Sequence, residues 1–196
     1  MPYDAFGIIG VDTITDFKNP KRVRLTVGCV YLESYFKDTD RGMVAKAREI
    51  LDPHNIELDV FPGFGMKNSW NTIPNTSEPI ADEPEAYKAI YQAAKVKLKQ
   101  MGCSFGIPLP VVFGEFVHRG LAIAPKAPGE LTRLCMISGS GNADQIDLLH
   151  EIGHAAGLGH EEAVSSPRNF MHTANPRSTI YKFQVEAFAK APFSVG

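Results

Sequence analysis

The 196-residue chain has no closely spaced pair of cysteines; Cys29, Cys103 and Cys135 are odd in number and far apart. A disulfide scaffold is therefore not implied. Cys29 and Cys135 lie in apolar, strand-like runs and read as buried thiols. No run of about 18 apolar residues occurs, which excludes a helical membrane span. No charge excess is present either: 20 basic against 22 acidic residues leave a formal net charge of −2, so bulk electrostatics favour neither nucleic acid nor an anionic membrane. Internal repeats and low-complexity tracts are lacking. The first ten residues lack the basic start and long apolar core of a secretory signal. The expectation is a cytoplasmic protein, one exported by a non-classical route, or a chain that begins after a removed leader. Tryptophan is nearly absent: Trp70 alone, in a Pro/Gly/Asn/Ser-rich stretch, reads as a loop anchor or a residue at a cleft rim.

What remains is an ordinary soluble composition, 44% hydrophobic and 21% charged, at a length suited to one domain. Residues 22–32 alternate and are rich in β-branched side chains, which predicts a strand. Asp40 is placed to cap a helix from about Arg41 to Leu51, with Met43, Ala47, Ile50 and Leu51 on one face and Pro53 as its stop. A second strand follows over Ile56–Phe61, and strand–helix–strand predicts a parallel crossover. Residues 62–82 read as a loop. Asp82 and Glu85 then open a helix with Tyr87, Ile90, Ala94, Leu98 and Met101 as its buried stripe, and Lys88, Lys95 and Lys99 on its solvated face. Leu109–Phe116, Leu121–Ala124 and Leu131–Ser138 predict three more strands. Asn142, with Gln145 at the capping-box position, is expected to cap the next helix, and a last helix is expected from about Ser178 to Lys190, packed through Ile180, Phe183, Ala187 and Phe188.

The most informative run is 150–160, His-Glu-Ile-Gly-His-Ala-Ala-Gly-Leu-Gly-His. His150 and His154 stand four apart, so a helix puts both imidazoles on one face, where two neutral rings can hold one zinc ion. Glu151 can reach a water on the same metal. His160 is the natural third ligand but cannot reach from the same helix: six residues at about 100° each rotate it roughly 240° from His154 and carry it about 9 Å along the axis. The helix must break and the chain turn back, and Gly157 stands where glycine would tolerate the left-handed conformation.

This run resembles the extended signature of the metzincin clan of zinc endopeptidases, His-Glu-x-x-His-x-x-Gly-x-x-His, which is followed by a methionine-containing turn. Asn169-Phe170-Met171-His172 stands in the matching position. The resemblance implies His150, His154 and His160 as ligands of one Zn²⁺, Glu151 as general base, and Met171 as the hydrophobic floor of the site. Glu161 and the Met-His pair look like the astacin branch, but Thr173 occupies the place of that branch's tyrosine, and neither an astacin disulfide framework nor a matrixin cysteine switch is present. The clan is supported; the family within it stays open. The implied fold is α+β: a mixed twisted sheet with a backing helix and an active-site helix, then a small C-terminal subdomain with the Met-turn and a final helix. Residues 1–160 would form the first part, with an insertion at about 62–102, and 161–196 the second, in one catalytic domain.

The segment around Leu121, Ala122, Ile123 and Ala124 resembles the edge strand on which metzincins bind extended peptide. Tyr181 and His172 are candidate oxyanion donors by nearness in sequence. The expected function is a zinc-dependent endopeptidase acting on peptide or protein in extended form, through a metal-activated water. Two other readings use the same residues: a metzincin-like binding module that holds zinc without catalysis, and a hydrolase of a non-peptide amide. The intact Glu151 argues against the first.

Overall fold

The computed structural model describes residues 17–32, 39–66, 91–102 except 94 and 97, 108–114, 120–123, 133–138, 144–160, 169–173 and 178–196. Six strands, β1 (Val23–Leu32), β2 (Ile56–Met66), β3 (Leu109–Gly114), β4 (Gly120–Ile123), β5 (Leu134–Ser138) and β6 (Ser194–Val195), form one mixed sheet. The order is β2-β1-β3-β5-β4, and β6 adds to β1. The pairs β1–β2, β1–β3 and β3–β5 are parallel, whereas β4 runs antiparallel to β5 and β6 antiparallel to β1. Among the described residues, helices α1 (Thr39–Leu51), α2 (Asp147–Ala155) and α3 (Lys182–Lys190) accompany it, and residues 91–93, 95–96 and 98–100 are also helical.

Every described residue of β3 and β5 is buried, as expected of inner strands of a sheet covered on both faces. Side chains alternate between those faces. Val23, Leu25, Val27 and Cys29 of β1, Val111 and Phe113 of β3, and Cys135 and Ile137 of β5 enter one core with Met43, Ala47, Ile50 and Leu51 of α1, Leu148, Leu149 and Ile152 of α2, and Val185 and Phe188 of α3. Val30, Val112, Leu134 and Met136 point the other way and are buried outside that cluster. Leu98, from the helical stretch at 91–100, lies directly against Gly28 on this second face. A Cβ at Gly28 would collide with both Leu98 methyl groups, so Gly28→Ala should lower stability by about 1–3 kcal/mol, read as a fall in the urea midpoint at unchanged slope.

Several expected boundaries move. α1 starts at Thr39, so Asp40 falls inside the helix instead of capping it. β2 continues through residues expected to be loop: β1 and β2 lose register between Gly28 and Val30, then pair again as Val30↔Phe64, Tyr31↔Gly65 and Leu32↔Met66. Two residues of β2, Pro62 and Gly63, stand opposite one of β1. A bulge is a position in a sheet that tolerates a missing N–H and a small residue.

A turn at Gln145 and Ile146 precedes α2, which starts at Asp147, whose Oδ2 accepts the Asp144 N–H at 2.7 Å; Gln145 is exposed. β5 runs Leu134–Ser138, while Leu131 and Thr132 fall outside the described residues. α3 starts at Lys182, not Ser178, and its buried positions are Gln184, Val185 and Phe188, with Tyr181 and Ile180 buried just before it. Phe183 falls off that face and is exposed, as is Met101, which lies in the turn after the 91–100 helix. The expected features at Trp70, Asp82, Glu85, Tyr87, Lys88, Ile90, Ala94, Cys103 and Asn142 fall outside the described residues. Among the described residues no helix is long and apolar enough to cross a membrane.

Candidate metal centre

α2 presents Leu148, Leu149, Ile152 and Ala155 to the core, which fixes the rotation of the helix and directs His150 and His154 along one side. The helix ends in a Schellman motif. Gly157 takes φ +94°, the Leu158 N–H donates to Gly153 O at 3.0 Å, and the Gly157 N–H donates to His154 O at 2.9 Å. Leu158 is buried against the core, as the residue after the left-handed glycine usually is. The Arg133 Nε–H donates to Ala155 O at 2.6 Å, placing a cation at the negative end of the helix.

The reversed chain returns His160 to the other two histidines. His154 Nε2 lies 3.1 Å from His150 Nε2 and 3.1 Å from His160 Nε2. One ligand atom from each of the three fits within 4.8 Å of the others, the arrangement of a group that could hold a metal ion. Burial grades outward, from buried His150 through half-buried His154 to exposed His160.

The outer nitrogens settle the protonation of two rings. His150 Nδ1 lies 2.9 Å from Phe170 O, and His154 Nδ1 lies 2.8 Å from Leu158 O. A carbonyl oxygen can only accept, so both Nδ1 atoms carry hydrogen, and in the neutral rings both Nε2 atoms carry lone pairs. Two acceptors at 3.1 Å repel unless a cation lies between them. Tetrahedral zinc with Zn–N bonds of about 2.05 Å separates two ligand nitrogens by about 3.3 Å, close to what is seen. Burial pushes the His154 imidazole below its usual range; the Leu158 carbonyl opposes this, and His160 adds to it. The neutral, ligand-ready form is therefore favoured.

Glu151 is buried on the neighbouring side of α2, where β4 packs. Gly120, the first residue of β4, lies against it: a Cβ there would collide with Glu151 Oε1 and come within 2.8 Å of Cγ and Cδ. The Cys135 S–H donates to Glu151 O at 3.4 Å from beneath. Burial first, and the Glu151 charge second, push that thiol up, so it stays protonated and is no thiolate ligand.

Met171 is fully buried in a turn closed by the His172 N–H donating to Asn169 O at 3.0 Å. It packs on α2 through Gly153: a Cβ there would collide with Met171 Sδ and stand 2.9 Å from the Phe170 ring. His172 is half-buried and Thr173 exposed. Leu121, Ala122 and Ile123 lie in β4, which ends the strand order as expected; Ala124 falls outside the described residues, as does Glu161. Tyr181 is buried at the N-cap of α3, its ring 5.9 Å from that of Phe183.

Several contributors carried no sequence signal. Gly153 and Gly120 matter through what touches them, Arg133 looks like a surface charge, and Asn169 and Gln184 are fully buried amides 15 residues apart.

No protein-family model matches the chain, and no curated protein matches it. Solved structures do. A chain in the structure of a chaperone–substrate complex aligns with TM-score 0.59 at 13% identity, over 87% of this chain and 34% of its own length. This chain thus spans about a third of that one, and the likeness is one of fold. Archaemetzincin from Methanopyrus kandleri aligns with TM-score 0.41 at 15% identity, over 86% of this chain and 88% of its own. A zinc-dependent peptidase from Methanocorpusculum labreanum aligns with TM-score 0.41 at 15% identity, over 82% and 92%.

Proposed function

We propose that the chain is a zinc-dependent endopeptidase of the metzincin type. The observation that carries the reading is the 3.1 Å approach of two imidazole nitrogens that both carry lone pairs, with a third imidazole returned to them by a glycine turn and a buried carboxylate alongside. His150, His154 and His160 would hold the ion, and Met171 would floor the site. Zinc held by three neutral imidazoles would keep its full charge and would supply Lewis acidity toward a substrate carbonyl and toward water. Glu151 takes the proton of the attacking water and passes it to the leaving amine nitrogen. Its burial keeps that proton from exchanging with bulk solvent during the transfer. The outer edge of β4 adds a substrate strand through backbone hydrogen bonds, with Leu121–Ala124 as the docking segment. An oxyanion donor from the turn or the α3 region, His172 or Tyr181, completes this reading. In this reading residues 161–196 make up the small C-terminal subdomain of one catalytic domain, and the stretch at about 62–102 is an insertion.

The contact between Gly120 and Glu151 makes a specific demand on the edge strand. Gly120→Ala should push the carboxylate out of place and reduce turnover by roughly 10- to 100-fold, as displacements near 1 Å do. Zinc content should not change, because the displaced carboxylate is not among the three side chains that converge as a metal-holding group. Steady-state rates paired with metal analysis check this.

The experiment for the reading as a whole is digestion of a diverse peptide library by zinc-loaded protein, with cut sites read by mass spectrometry. Internal cuts that vanish on chelation and return with zinc are expected. A folded, zinc-holding protein that cuts nothing would remove the peptidase reading and leave a metal-holding binding module or a hydrolase of another amide.

A further inference from the structure

Asn169 and Gln184 form a reciprocal amide pair in the core, both fully buried. Asn169 Nδ2–H donates to Gln184 Oε1, and Gln184 Nε2–H donates to Asn169 Oδ1, each at 2.9 Å. Each oxygen also accepts a backbone N–H at 2.9 Å: Asn169 Oδ1 from Met171, and Gln184 Oε1 from Tyr181. These backbone donors fix which amide atom is oxygen in both side chains. The Phe170 N–H donates to Thr179 O at 2.9 Å, so the turn is tied to the α3 region without help from the pair.

What the pair adds lies in one peptide unit. The Met171 N–H gripped by Asn169 Oδ1 and the Phe170 carbonyl that accepts from His150 Nδ1 are the two ends of the same planar group. That group can turn only as a body. A rotation that frees the N–H from Asn169 also swings the carbonyl away from His150. The imidazole would then lose the partner that keeps hydrogen on Nδ1 and the lone pair on Nε2.

We propose that Asn169, held in turn by Gln184, is a positioning residue for the metal centre: by clamping the 170–171 peptide plane it fixes the tautomer and aim of His150. This rests on the metal-holding part of the reading above and not on peptidase activity. The groups that orient a ligating histidine are worth about 10- to 100-fold in metal affinity.

The test is zinc affinity by competition with a chromophoric chelator, together with the His150 tautomer read from long-range ¹H–¹⁵N correlations of the metal-free protein. Asn169→Leu keeps the branching at Cγ and removes the clamp. It should weaken zinc binding roughly 10- to 100-fold, and His150 should populate its other tautomer. Asn169→Asp retains an oxygen for the Met171 N–H and should hold the Nδ1–H tautomer and bind zinc more tightly than Asn169→Leu. If Asn169→Leu does not fold, Gln184→Met reads the same clamp from its far end and should weaken zinc several-fold. A folded variant with lower thermal stability but wild-type zinc affinity and an unmoved tautomer would overturn the proposal and leave the pair a purely structural role. A wild-type protein that takes up no zinc would instead bring down the metal centre itself.

Discussion

Glu151→Gln yields a folded protein that still takes up zinc and turns over peptide roughly 10²- to 10⁴-fold more slowly, the range associated with losing a positioned general base. Glutamine matches the carboxylate in size, which matters in a site this confined: Gly120 stands against the side chain on one side, and the helix packs on the core on the other. What disappears is the capacity to accept a proton. The metal should stay, because the three nitrogens that converge belong to His150, His154 and His160, and two of those rings are held by backbone carbonyls. The measurement pairs kcat on a cleaved peptide with zinc content by native mass spectrometry. Loss of zinc together with activity would show that Glu151 supports the centre instead of acting on substrate. Undiminished turnover would remove it from the chemistry.

Zinc should raise the melting temperature by a wide margin. A ligand at a thousandfold excess over its dissociation constant adds about 4 kcal/mol to the folded state, which in a protein of this size is roughly 8–16 °C. The structure explains why the effect reaches the whole fold. The three histidines span the end of α2 and the chain reversed by Gly157, while α2 shares one core with β1, β3, β5, α1 and α3. Without a cation, two lone pairs face each other at 3.1 Å, and that repulsion must be relieved by protonation or by movement of a ring. Melting curves with chelator and with graded zinc read the shift directly. A change under 2 °C in saturating zinc would mean that the three histidines do not bind zinc as one site.

Much of this was legible in the sequence because the signals were local. The β1–α1–β2 crossover follows from periodicity and a proline stop, and the apolar face of α1 comes out residue for residue. The return of His160 is legible because a glycine falls where helical geometry demands a break. The misplaced boundaries have long-range causes. β2 runs through Pro62 and Gly63 because β1 offers it a bulged register, which no window of sequence reveals. The start of α3 depends on Gln184, whose Oε1 takes the Tyr181 N–H only once Asn169 has brought it into the core. Hydrophobicity alone puts Phe183 on the packing face; the helix phase set by Gln184, Val185 and Phe188 turns it outward. Buried polar pairs and close glycine contacts are properties of two segments at once.

The contact at Gly153 bears on portability. In the motif pattern that position is free to vary, so a designer moving the three histidines into another scaffold would feel entitled to choose any good helix former there. In this fold the choice is closed, since the Phe170–Met171 turn occupies the space of a side chain. The transferable object is therefore larger than the string 150–160. It comprises a helix with a flat spot, the turn seated on that spot, and the amide pair that holds the turn. A graft carrying only the histidines would leave behind the turn and the amide pair bonded to it.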